Sequence, residues 1–134
     1  MNWSKTLLAG VLAGIAMMIA NFVMHGIIMG PTYGRHPDLF VQEEGGIGGF
    51  LVVALIIGIG LAILFSKTRN SWAAGLVGGA TFGLIAGIAP FFNNFYDHMI
   101  YNGFPYYLSW CHGGMDLIAY VIGGAVMGLV LKGD

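Results

Sequence analysis

The chain has 134 residues, 57% hydrophobic and 8% charged, with a mean hydropathy of +0.81 and a net charge of −1. A soluble domain carries about 25% charged residues, so a chain this apolar cannot cover a water-facing surface, and its solvent is lipid. The near-neutral balance excludes a basic footprint for nucleic acid, and the single cysteine, Cys111, excludes an internal disulfide and a CxxC site.

Four apolar stretches follow in order. The first runs from about Thr6 to Met29, the second from Ile47 to Ser66, the third from Trp72 to about Phe92, and the fourth from about Leu108 to Leu131. Each has roughly the 20 residues a helix needs to cross the hydrocarbon core. The first is too long for a cleaved signal peptide and lacks a small-residue cleavage site. Lys5, Lys67, Arg69 and Lys132 fall on one side of this layout, four of the five basic residues, which predicts cytoplasmic N and C termini. The outward loops then carry Arg35, His36, Asp38, Glu43, Glu44 and Asp97. Trp3 and Trp72 suit the inner interface, and Tyr101, Tyr106, Tyr107 and Trp110 an outer aromatic belt.

The exits of the two odd-numbered stretches share a pattern. Asn21 to Gly30 and Asn94 to Gly103 both read N-F-x-x-H-x-I-x-x-G, and Gly10, Gly14 and Ala16 match Gly83, Gly87 and Ala89 at the same offset. The even-numbered stretches match as well, with Gly48-Gly49 against Gly113-Gly114, Ile57-Gly58 against Ile122-Gly123, and Lys67 against Lys132. An internal duplication follows, with repeat 1 over about 1–69 and repeat 2 over about 70–134 of one membrane domain. The expected fold is all-α: an up-down-up-down bundle of two helical hairpins, related by a pseudo-twofold axis along the membrane normal. The alternative is a chance match between helices rich in Gly, Ala and Ile. The shared Asn, Phe and His favour duplication.

Glycine supplies the packing pattern. Gly75, Gly79, Gly83 and Gly87 recur every four residues on the third helix and leave one face without side chains, where another helix can approach closely. Gly10 with Gly14, and Gly124 with Gly128, offer the same on the first and fourth helices. The partner is either in the same chain or in a second copy. Pro90 should kink the third helix.

Helical spacing gathers the polar residues. Asn21 and His25 share the glycine face of the first helix, and Asn94 and His98 continue that of the third. On the fourth, His112 and Asp116 are one turn apart. Counted back from Lys132 and forward from Trp3, the rise per residue sets Asp116 and His25 just below the outer interface. Asn21, His25, Asn94, Asp97, His98, His112 and Asp116 should therefore form one polar pocket near the periplasmic face. An ionisable group in a membrane span costs several kcal/mol and is a functional candidate by default. The competing reading is a hydrogen-bonded set that joins helices.

Imidazole with carboxylate suits a transition metal, and His25 with His98 could supply two axial ligands to a haem near the pseudo-twofold axis. The candidate cofactor ligands are thus His25, His98, His112 and Asp116, with Cys111 an inert interface residue or an added thiolate. No zinc-protease helix, CxxCH, nucleophile elbow or phosphate-binding glycine loop occurs, so catalysis is disfavoured. A proton-linked small-molecule carrier working as a dimer remains open, because parallel repeats, a kinked helix and a half-buried Asp–His pair are what it would use. A purely structural subunit of a larger membrane complex is the third reading. The stretch Asn21-Phe22-Val23-Met24-His25-Gly26 through Tyr33, with the four-span layout, resembles small four-helix bacterial inner-membrane proteins of domain-of-unknown-function type. That resemblance implies a bacterial inner-membrane location and a fold, and no catalytic residues. The sequence reading is a non-catalytic subunit or binding protein, alone as a homo-oligomer or within a membrane complex.

Overall fold

The computed structural model describes residues 1–40 and 46–132; the loop acids Glu43 and Glu44 lie outside them. Helix α1 (Trp3–Asn21) begins at Asn2, whose side chain accepts the Lys5 N–H at 3.1 Å, satisfying an amide that the first turn leaves without a carbonyl. The helix runs directly into wider π turns over Phe22–Ile28, and a short α2 (Gly30–Gly34) follows with Pro31 in its first turn. Helix α3 (Ile47–Lys67) returns and ends near a 3₁₀ turn, Arg69–Ser71.

The third span is helical in three pieces, α4 (Gly75–Ala86), α5 (Ile88–Asn93) and α6 (Phe95–Ile100). Pro90 has no N–H to give the carbonyl of Ala86, and its ring crowds that carbonyl, so α4 stops there. The second break has its own local cause. The backbone N–H of Asn94 turns to Phe92 O, and the Asn94 side chain takes the Pro90 carbonyl at 2.8 Å. Helix α7 (Tyr106–Val130) follows Pro105.

Four helices, Trp3–Ile28, Ile47–Lys67, Gly75–Ile100 and Tyr106–Val130, are long and apolar enough to cross a membrane. Among the described residues there is no strand. The third span outruns the expected Phe92, because hydropathy falls at Asn93 and Asn94 while the chain stays helical to Ile100. Phe50, Ile56, Val77 and Ile118 point outward and exposed, as lipid-facing side chains do.

Helices α1 and α7 form the central pair; α3 packs along α1 and α4 along α7. Both outer contacts are glycine seams. A Cβ on Gly79 would sit 2.1 Å from Gly124 O, one on Gly83 2.1 Å from Tyr120 O, and one on Gly128 2.3 Å from Gly75 O. In the other seam, a Cβ on Gly58 would meet Gly10 O at 2.3 Å and one on Gly14 would meet Ala54 O at 2.6 Å. Backbones this close gain dispersion and Cα–H···O contacts that larger residues would forbid. Of the four-residue glycine series, Gly79 and Gly83 touch α7 backbone and Gly87 faces the Leu117 side chain. Gly75 starts the helix at φ +72°, with open space where a side chain would go.

Ala9, Ala13, Ala62, Phe65, Phe82, Met127 and Leu131 form a buried core near the chain termini. Asn2 and Leu131 line one cavity there with Lys67 and Arg69, so both termini lie at the same end. There α3 and α4 meet through Phe65 and Phe82, with ring centroids 5.1 Å apart. A buried hydrogen bond, Thr6 to Ser66 at 2.9 Å, joins α1 to α3. At the other end Met17, Met24, Met29, Leu108, Met115 and Ala119 form a second buried core, with Tyr33, Phe40 and Phe104 packed on it.

Candidate functional site

The second core carries the polar residues. His25 sits in the π turns and His112 near the start of α7, with ring centroids 5.5 Å apart. Tyr33, from α2, stands between them. Its hydroxyl is 2.5 Å from His25 Nδ1 and 3.0 Å from His112 Nε2. A phenol has one proton, so it donates to one imidazole and accepts from the other; the neutral rings then both carry their proton on Nε2 if Tyr33 donates to His25, and both on Nδ1 if it donates to His112. Three separate segments thus meet at one oxygen. Phe40 lies against Tyr33 at 4.4 Å between centroids, and Phe40 and Phe104 each stand 6.1 Å from the His112 ring. These rings form an aromatic wall along one side of the group. Burial first, then the negative charges of Cys111 and Asp116 in their ionised forms, push the Tyr33 phenol up to about 12. It therefore stays protonated at any physiological pH.

The local backbone explains the meeting. Wider π turns take up an extra residue relative to an α-helix, and such segments recur at functional sites. Here they carry His25 toward α7, and Met29 N–H closes the last wide turn on Met24 O at 2.9 Å. Pro31 then fixes the start of α2, which holds Tyr33.

Asp116, one turn beyond His112, accepts from Asn94 Nδ2 at 2.6 Å. Asn94 spends its other amide hydrogen on Pro90 O, so the break in the third span and the carboxylate on the fourth are tied through one side chain. His98 bonds Ser109 Oγ through Nδ1 at 3.1 Å and packs edge-on against Tyr106. Asp97 lines a cavity of about 360 Å³ with Asp38, Leu39, Tyr101, Asn102 and Phe104. Phe104 belongs to both places, forming one wall of that cavity and packing on His112. Asn21 stands where α1 becomes π, and its Oδ1 is buried without a hydrogen-bond partner among the described residues.

The residues singled out in the sequence therefore fall into separate systems. His25 and His112 come together, Asn94 joins Asp116, His98 goes to Ser109, and Asp97 faces the cavity. Among the described residues, no three of His, Cys, Asp and Glu lie where they could share one metal ion. His25 and His98, paired in sequence as haem ligands, hold different partners. Tyr33 as the bridge, Ser109, Phe40 and Phe104 were not anticipated. Comparison of the chain with protein-family models, curated proteins and solved structures gave no match.

Proposed function

We propose that the chain is a non-catalytic binding protein or subunit of a bacterial inner membrane, with both termini cytoplasmic and its ligand site at the periplasmic end. The observation that carries this is the Tyr33 hydroxyl shared by His25 and His112. Two imidazoles and a phenol from three segments form a convergent set of donors and acceptors, under an aromatic wall and beside a cavity. Asn21 Oδ1, which has no partner among the described residues, adds a buried acceptor at the base of the π turns. A small hydrogen-bonding molecule suits this donor set better than a metal or haem, which needs further ligands drawn in.

Duplication fits the same picture. Both odd-numbered spans lose regular α winding at the Asn of the shared motif, at Asn21–Phe22 and at Asn94–Phe95. Both hairpins close through glycine seams. The contact between hairpins is less even, since α1 packs along α7 while α3 and α4 meet through phenylalanines at one end.

Native mass spectrometry of the detergent-purified protein, with metal analysis and a visible spectrum of the same sample, tests the proposal. A retained molecule, metal or haem band that disappears in Tyr33→Phe and His112→Ala supports it. A wild type that carries nothing, and gains no thermal stability from any of a panel of polar metabolites and metal ions, argues for a structural subunit.

One observation favours a second reading. Asp116, a carboxylate inside a span, is held by the residue at which the third span breaks, the kind of link a proton-coupled carrier uses. In proteoliposomes, Asp116→Asn would then abolish pH-driven uptake; under the binding reading it leaves ligand retention unchanged.

A further inference from the structure

The opposite end of the bundle holds a second cavity, independent of the histidines. It measures about 280 Å³ and is lined by Met1, Asn2, Thr6, Ser66, Lys67, Arg69, Asn70 and Leu131. Its chemistry has one sign. Lys67 and Arg69 contribute two cations, and among the described residues no acidic side chain lines it. The N-terminus of α1, a 19-residue helix, opens beside it at Asn2, adding the positive end of a helix dipole. The described acids Asp38, Asp97 and Asp116 belong to the other end, with the histidines and the outer cavity.

Arg69 is fixed rather than loose. Its Nε donates to Leu131 O at 3.2 Å, and its Nη1 to Trp72 O at 3.0 Å and Ala73 O at 3.4 Å, while the guanidinium lies over the Phe65 ring. These bonds spend Nε and Nη1 on main-chain carbonyls and fix the guanidinium in place, so it acts as a held positive charge with Nη2 as its remaining donor, at little ordering cost. Ser66 is engaged by Thr6, and Asn70 is exposed at the rim beside Lys67. A cation pair, hydroxyl and amide donors, and an open mouth at the end of the apolar spans together match a phosphate group.

We propose that this cavity binds a phosphate group, carried by an anionic phospholipid headgroup or free in solution. The apolar outer faces of α1 and α3 rise from the cavity, so acyl chains could lie along them while the headgroup enters. The full chain in a neutral detergent is titrated with phosphatidylglycerol, phosphatidylcholine and inorganic phosphate, with native mass spectrometry and the thermal midpoint as readouts. Phosphatidylglycerol should bind and raise the midpoint, with phosphatidylcholine well behind it. Lys67→Gln should weaken it about fivefold, as losing one interfacial cation implies. Asn70→Asp, which puts a carboxylate at the rim, should weaken it at least as much. Lys132→Gln, outside the cavity, should leave affinity unchanged, which separates a site from general surface charge. Binding of inorganic phosphate with the same Lys67 dependence would assign the site to the free anion. Lys67→Gln binding both ligands as tightly as wild type would overturn the proposal, as would equal loss in Lys132→Gln.

Discussion

The seam between α4 and α7 makes a quantitative prediction. In Gly79→Ala the new methyl would sit 2.1 Å from Gly124 O and 2.7 Å from Gly128 Cα, where ordinary contact begins at 3.4 Å. Both neighbours are backbone, so no side chain can rotate away. The helices must separate by about 1.3 Å, the difference between those distances, and they lose contact along several turns. Overpacking of this kind costs about 1–3 kcal/mol, and the upper half applies where the obstruction is main chain. Alanine recovers up to about 1 kcal/mol through its better helix propensity. The net expectation is a loss of about 1–2 kcal/mol, roughly a tenfold larger unfolded fraction. Gly60→Ala is the matched control: a Cβ there meets nothing within 4 Å, so it should leave stability unchanged or raise it. Reversible unfolding in mixed micelles, followed by circular dichroism, reads both. A Gly79→Ala protein as stable as Gly60→Ala would refute the view that α4 is held to α7 by close backbone approach.

Three further outcomes follow. Tyr33→Phe should remove a tyrosine step near pH 12 from an ultraviolet titration. The sign is fixed by the raised pKa: the folded phenol keeps its proton while the unfolded one ionises near pH 10, so wild-type stability is full below pH 10 and falls as pH rises toward 12. In the variant that part of the fall should vanish. Thr6→Val deletes the buried bond to Ser66 and should cost about 0.6 kcal/mol, the usual size for a polar contact between membrane helices; a loss above about 2 kcal/mol in the same micelle assay would mean Ser66 is left without a partner. Arg69→Gln strips three carbonyls of a cationic donor and should cost about 1.5–3 kcal/mol, while Arg69→Lys should recover only part of it.

The sequence makes the spans legible because lipid leaves little freedom: about 20 apolar residues between polar ends admit one reading. The glycine spacing was equally readable, since Gly79 and Gly83 are four apart and α-helices repeat near that interval. The ends of the odd-numbered spans were not. Asn93 and Asn94 look like loop, yet helix continues through Phe95–Ile100 because the Asn94 side chain replaces the backbone bond that Pro90 and the turn disrupt. His25 and His112 could be set at a common depth by counting residues. Tyr33 could not, because it lies in a Gly-Pro-Thr-Tyr-Gly turn with no periodicity to fix its direction. His98 shows the same limit from the other side. Its depth was readable, but its choice of Ser109 depends on how far α6 rotates after the break at Asn94.

The wide turns over Phe22–Ile28 give local winding, rather than any one side chain, control of the His25–Tyr33 encounter. Were these residues to tighten to ordinary pitch with none removed, the residue the wide turns absorb would be pushed onward along the helix. Everything from Met29 onward would then swing by roughly 100° about the axis. The tyrosine would be carried away from both rings although every contacting atom had been kept. A one-residue deletion would be the gentler change, because the lost residue and the tighter coil offset each other and Met29 keeps nearly the same direction.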